Sequence, residues 1–106
     1  NNTEFYKNIA ISIEDEKIYH NNELAKASDV LLTFNDVEIS FVIAKIDEDT
    51  VGVSARSLGN IDVEKIMKQF GGGGHRTDAA TQIKGITVLE LRNKLLNYLE
   101  GVLKWK

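Results

Sequence analysis

Cysteine and proline are both missing from this chain, and it holds a single tryptophan and a single methionine, Met67. Without cysteine there is no disulfide framework, which fits a reducing compartment. Without proline, and with glycine at only 8 positions, a collagen-like or fibrous reading fails. No apolar run approaches the ~20 residues that span a bilayer. The opening stretch, Asn1 to Lys7, lacks the charged-then-apolar order of a signal peptide. Long runs of like charge are also absent: 13 Lys+Arg stand against 16 Asp+Glu, a formal charge of −3. No basic stripe therefore announces a long polyanion, although a phosphate group could still be bound locally. The lack of an initiator methionine leads to the expectation that the chain is a domain of a longer protein.

What is present is the composition of one soluble globular domain: 106 residues, 42% hydrophobic and 27% charged. A chain of roughly 100 residues removes well over half of its unfolded surface from water, so a single core suffices. Asn1 to Asn8 is polar around Phe5 and Tyr6 and reads as a linker or N-terminal extension, residues 1–8, ahead of a domain over 9–106. Ile9, Ile11 and Ile13 alternate with small or polar residues, the period of a strand. Asn21 and Asn22 offer caps for a helix over about 22–33, with Leu24, Ala27, Leu31 and Phe34 at helical spacing.

From Glu38 to Ile46 apolar residues occupy both alternating sets, which predicts a strand covered on both faces. The acidic turn Asp47-Glu48-Asp49 joins it to a second strand, Val51 to Ser57, as an antiparallel hairpin. In that strand Gly52, Ser54 and Arg56 share one face and Val51, Val53 and Ala55 the other. Asp62 can cap a short helix carrying Val63, Ile66, Met67 and Phe70, which ends at Gly71. Ala79 to Lys84 reads as a strand. Thr87 with Glu90 forms a capping box before a last helix reaching Lys104, with Val88, Leu91, Leu95, Leu99 and Val102 as its stripe. The fold class expected is α/β (α+β): a single domain whose mixed β-sheet is packed by about three helices.

The chemistry concentrates in Gly71-Gly72-Gly73-Gly74-His75-Arg76-Thr77, followed by Asp78-Ala79-Ala80. Consecutive glycines cost conformational entropy on ordering. Bare backbone also lets a ligand approach closely and turns N–H groups toward an anion, with His75 adding a donor or a cation. The bland alternative is a flexible loop with a chance histidine, but the loop is pinned between Phe70 and a small-residue strand. It is neither a Walker loop, since no Gly-Lys-Ser/Thr follows, nor a dinucleotide fingerprint, since Arg76 stands where a third glycine would. The second feature is Ser54-Ala55-Arg56-Ser57, where a strand guanidinium could grip phosphate in bidentate fashion or be paired with Asp or Glu.

Glu14-Asp15-Glu16 and Asp47-Glu48-Asp49 read as solvated turns, and His20 as a surface or capping residue. With 2 histidines and no cysteine the chain lacks a convincing set of transition-metal ligands. No Gly-x-Ser-x-Gly elbow surrounds Ser54 or Ser57, so a hydrolase triad finds no support. The residues therefore read as a binder of a phosphorylated or otherwise anionic ligand, without a complete catalytic set.

Gly71 to His75 with Ala79-Ala80, and Ser54-Ala55-Arg56-Ser57 at a hairpin end, together resemble the DHH-associated domain of the DHH phosphoesterase superfamily. The resemblance covers nearly all of the chain from Ile9 onward. Within the superfamily, Gly71 to Ile83 looks most like the C-terminal domain of membrane-anchored cyclic-di-AMP phosphodiesterases of Gram-positive bacteria. The resemblance implies the substrate-binding half of an enzyme that hydrolyses cyclic di-AMP to the linear dinucleotide. Manganese ions would be held by a DHH domain elsewhere in the same chain, and none by this one. It implies phosphate binding by Gly71, Gly72, Gly73, Gly74 and His75, with His75 helping to protonate the leaving oxygen. Arg56 with Ser54 or Ser57 would hold the second phosphate or a ribose. It also implies a dimeric parent in the bacterial cell membrane, with this domain on the cytoplasmic face. The alternatives are a nanoRNase or RecJ-type single-strand exonuclease of the same superfamily, or a non-catalytic nucleic-acid module as in alanyl-tRNA synthetases.

Overall fold

The computed structural model describes residues 3–103. In chain order the elements are β1 (Thr3–Tyr6), β2 (Ile9–Glu14), α1 (Asn21–Leu31), β3 (Ile39–Asp47), β4 (Thr50–Ser57), α2 (Val63–Lys68), β5 (Gly73–His75), β6 (Asp78–Lys84) and α3 (Val88–Leu103). They build an α+β domain around one six-stranded mixed sheet of order β1-β2-β3-β4-β6-β5. Only β2 and β3 pair in parallel, and α1 is the crossover that this requires.

The alternation in β3 divides the sheet into two faces. Ile39, Phe41 and Ile43 enter a large core completed by α2 and α3, whereas Val42 and Ala44 join Ala10, Leu24 and Leu31 under α1. Coverage is unequal. α3 lies beneath β2 and β3, and α2 beneath β4, β6 and β5, but on the opposite face α1 packs chiefly across β3 and β4. The β6–β5 end of that face stays open.

Within the stretch expected to be a linker or N-terminal extension, four residues form a strand. Thr3–Tyr6 pairs antiparallel with β2, and Arg92 of α3 donates to Glu4 Oε1 from Nε at 3.0 Å and from Nη2 at 2.6 Å. A second difference lies in the glycine run, where Gly73–His75 leaves the expected loop and joins the sheet edge as β5. α1 starts one residue earlier than expected because His20 is its N-cap; the Glu23 carboxylate accepts from the His20 N–H at 2.8 Å. Leu24 and Leu31 are buried as expected, but Ala27 and Phe34 are exposed, and Ser28 is buried in that face instead. Phe34 stacks on the equally exposed Phe5, ring centroids 6.0 Å apart. In α3 the stripe holds from Val88 to Leu99, but Val102 is exposed, and Lys104 lies outside the described residues. The Asp62 and Thr87 caps are as read: Asp62 Oδ1 accepts from the Glu64 N–H at 2.9 Å, and Thr87 Oγ1 from the Glu90 N–H at 3.0 Å.

Candidate functional site

Strand pairing brings the two sequence motifs together. β4 pairs with β6 through Gly52↔Gln82, Ser54↔Ala80 and Arg56↔Asp78, and β6 pairs with β5 through Gly73↔Ala80 and His75↔Asp78. Paired residues project to the same face. Ser54, Arg56, Asp78, Ala80, Gly73 and His75 thus lie on the face that carries α1, Ser54 and Arg56 against that helix and Asp78, Ala80, Gly73 and His75 beyond its cover. A cleft of about 390 Å³ runs there between the first turn of α1, at Asn21, Asn22 and Ala25, and the β4–β6 pair. A larger cleft, about 580 Å³, lies between α1 and β2–β3 beside Val30 and Phe34; it gathers none of the residues named by the two motifs.

The four glycines have different reasons to be glycine. At Gly72 a Cβ would stand 2.1 Å from the Ala80 carbonyl oxygen, and at Gly74 2.5 Å from that of Asp78, so β6 could not approach a larger residue at either place. The Gly72 amide is already used, donating to the Met67 carbonyl at 2.9 Å as α2 ends. Gly73 has nothing within 4 Å of the place a Cβ would take. Its bare backbone faces the open surface next to His75, whose exposed imidazole makes no hydrogen bond among the described residues.

Arg56 is held far more tightly than a solvent-facing strand arginine. Its side chain is only 12% exposed. Nε donates to Asp29 Oδ1 at 2.9 Å, and Nη1 donates to Ser54 Oγ at 3.1 Å and to the Ala55 carbonyl at 3.0 Å. Asp78 Oδ1 lies 2.9 Å from Nη1 as a second ion-pair partner. A bidentate grip needs Nη2 together with either Nε or Nη1, and both of these are engaged. The guanidinium therefore presents Nη2 alone, and of the two readings of Arg56 the structure shows pairing with Asp.

The serines support this arrangement from different sides. Ser54 is buried, and its Oγ lies 3.1 Å from that of Ser28, which itself donates to the Ala25 carbonyl at 2.9 Å. Since the single Ser28 proton goes to Ala25, Ser54 donates to Ser28 and accepts from Arg56. Ser57 belongs to the other face, where its Oγ donates to the Ile61 carbonyl at 2.7 Å and accepts from the Gly59 N–H at 3.3 Å. It closes the turn into α2 and is not brought to Arg56. Sequence alone does not single out Asp29 and Asp78 as the partners of Arg56. No local spacing marks them, because one comes from α1 and the other from a strand paired in the sheet.

Among the described residues no group of three or more His, Cys, Asp or Glu side chains is placed to hold a metal ion. A metal does not fit these residues, and no metal step is assigned to them. Nor is any helix long and apolar enough to cross a membrane among them.

The model of the DHHA1 domain matches residues 5–104. The chain is a DHHA1 domain. It is 48% identical over 98 residues to the cyclic-di-AMP phosphodiesterase GdpP of Geobacillus thermodenitrificans, covering 88% of this chain and 15% of that protein. To the cyclic-di-AMP phosphodiesterase PdeA of Listeria monocytogenes it is 41% identical, covering 92% of this chain and 14% of that protein. The chain thus spans about one seventh of the length of the curated relatives it matches. An exopolyphosphatase-related protein from Bacteroides fragilis has the same fold, with a TM-score of 0.76 at 20% identity over 97% of this chain and 33% of that one. This DHHA1 domain therefore shares its architecture with proteins much longer than itself.

Proposed function

We propose that this DHHA1 domain is the substrate-binding half of a metal-dependent phosphodiesterase that hydrolyses cyclic di-AMP to the linear dinucleotide. The observation that carries the reading is the register that sets Gly73, His75 and Arg56 on one open sheet face beside a nucleotide-sized cleft. The relatives named cyclic-di-AMP phosphodiesterases match this chain over most of its length, which supports the substrate.

In this reading the Gly71–Gly74 segment and His75 receive a phosphate: the backbone is bare at Gly73, and the free imidazole supplies a donor. Protonated, the same imidazole can give its proton to the leaving oxygen. Arg56, backed by Ser54, forms a second polar anchor for the nucleotide, while Ser57 shapes the turn beneath it. The metal, manganese in our reading, is held by the DHH domain of the parent. That parent is anchored in the bacterial membrane as a dimer, with this domain on the cytoplasmic side. The isolated domain is inactive.

The test is steady-state turnover of the parent enzyme with cyclic di-AMP, linear di-adenylate and a single-stranded RNA oligomer. Cyclic di-AMP should be the preferred substrate. His75→Ala and Arg56→Ala should each lower kcat/KM at least about 10-fold, the scale of one lost charge-assisted hydrogen bond, with the fold intact. Wild-type turnover in both variants would overturn the site. Preference for the RNA oligomer would point to an exonuclease.

A further inference from the structure

The carboxylates around Arg56 lead to an inference that rests on the function just proposed and concerns which part of the nucleotide this corner of the cleft contacts. A phosphate suits it poorly. Neither fork of the guanidinium is free, and the Asp78 carboxylate, 2.9 Å from Nη1, already balances its charge. The Oδ2 of Asp78 has no partner among the described residues, and neither does Nη2 of Arg56. The pair therefore offers a hydrogen-bond acceptor and a hydrogen-bond donor side by side. Leu24, Ala25 and Ala80 give the adjoining cleft apolar walls, and its volume, about 390 Å³, falls in the usual range for small-molecule sites. With Asn21, Asn22 and Gln82 also lining it, the cleft is of mixed character, and its donor and acceptor at Arg56 and Asp78 complement a flat heterocycle whose edge carries the same pair.

We propose that Asp78 and Arg56 read the edge of a nucleobase, with Asp78 accepting from the exocyclic amino group of adenine and Arg56 Nη2 donating to the neighbouring ring nitrogen. Adenine and guanine carry this pair in opposite order, an amino donor beside a ring acceptor in one and a carbonyl acceptor beside a ring N–H in the other. A fixed order of Asp78 and Arg56 therefore accepts one purine and rejects the other. Asp29 is the positioning residue: from α1 it holds Nε and so fixes which nitrogen faces the cleft.

The readout is the ratio of kcat/KM for cyclic di-AMP to that for cyclic di-GMP, measured on the parent enzyme. Wild type should favour the adenine substrate. Asp78→Ala should shrink the ratio roughly 10-fold or more, the usual scale for losing one good base contact. Asp29→Asn keeps an oxygen for Nε, so it should change both substrates alike and leave the ratio near wild type. Asp78→Ser repeats the test with a different small residue, and thermal melts verify that each variant is folded. An unchanged ratio in both Asp78 variants overturns the proposal, because it leaves Asp78 only the task of holding Arg56. So does a ratio that collapses equally in Asp29→Asn. A wild-type enzyme that leaves cyclic di-AMP intact defeats the proposed function itself, an outcome separate from either of these.

Discussion

At Gly72 the backbone of β6 comes so close that a single methyl group has no room: its carbon would stand 2.1 Å from a carbonyl oxygen and 2.8 Å from the Thr81 Cα. Backbone cannot yield as a side-chain tip can, so Gly72→Ala should cost about 1–3 kcal/mol, the range for overpacking a well-filled site. Gly73→Ala meets open space and should change stability by no more than about 0.5 kcal/mol. Urea unfolding of both variants measures the contrast; equal losses would mean that β5 does not pair as described. Sequence alone marks the run as unusual and His75 as its chemical member. It cannot assign the glycines their separate tasks, since these depend on which carbonyls of β6 lie opposite. Arg56 illustrates the same limit. Its residue type invites an anion, but whether its forks are free is decided by Asp29 on α1 and Asp78 on β6.

The elements most legible in sequence are those with long periods and strong caps: α3 behind its Thr87–Glu90 box, α2 behind Asp62, and the two-faced strand β3. The short strands β1 and β5 are not legible. Each is closed by a two-residue turn without glycine, Lys7-Asn8 and Arg76-Thr77, so the usual hairpin dipeptides are missing. Lys7 takes the left-handed conformation instead, with φ 52°. What fastens β1 comes from far along the chain. The Arg92 guanidinium holds the Glu4 carboxyl below its ordinary pKa, against a smaller opposing effect of burial. A depressed carboxylate pKa means stabilisation that is complete above the unfolded value, about 4.3, and that fades as pH falls through the folded one. Both side chains are partly exposed, so the pair should contribute at most about 1 kcal/mol. Glu4→Gln should therefore lower the denaturation midpoint slightly at pH 7, and the difference from wild type should shrink as the solution is taken to pH ~3. A gap that stays constant with pH would show that the carboxylate charge is not what fastens β1.

Over the whole molecule the sheet is covered unequally, and the proposed site lies where the cover of α1 ends. α3 beneath β2 and β3 and α2 beneath β4, β6 and β5 cover one face, but α1 lies chiefly over β3 and β4 on the other. The open β6–β5 corner results from strand order, because β6 inserts between β4 and β5 and carries the glycine hairpin beyond the reach of α1. Composition and periodicity foretell a mixed sheet with about three helices, but not which corner is left bare. This separation of core from site can be tested. Leu95 is 1% exposed, in the α3 stripe against the lower face, and Leu95→Ala should destabilise by roughly 2–5 kcal/mol. It lies across the sheet from His75 and Arg56, so if the proposed function holds, the parent enzyme carrying this variant should keep kcat/KM for cyclic di-AMP near wild type under conditions where the variant remains folded. A loss of activity as large as that of His75→Ala in a fully folded Leu95→Ala enzyme would mean that the lower core sets the geometry of the upper face. The sheet would then transmit strain between its faces instead of isolating the site from the core.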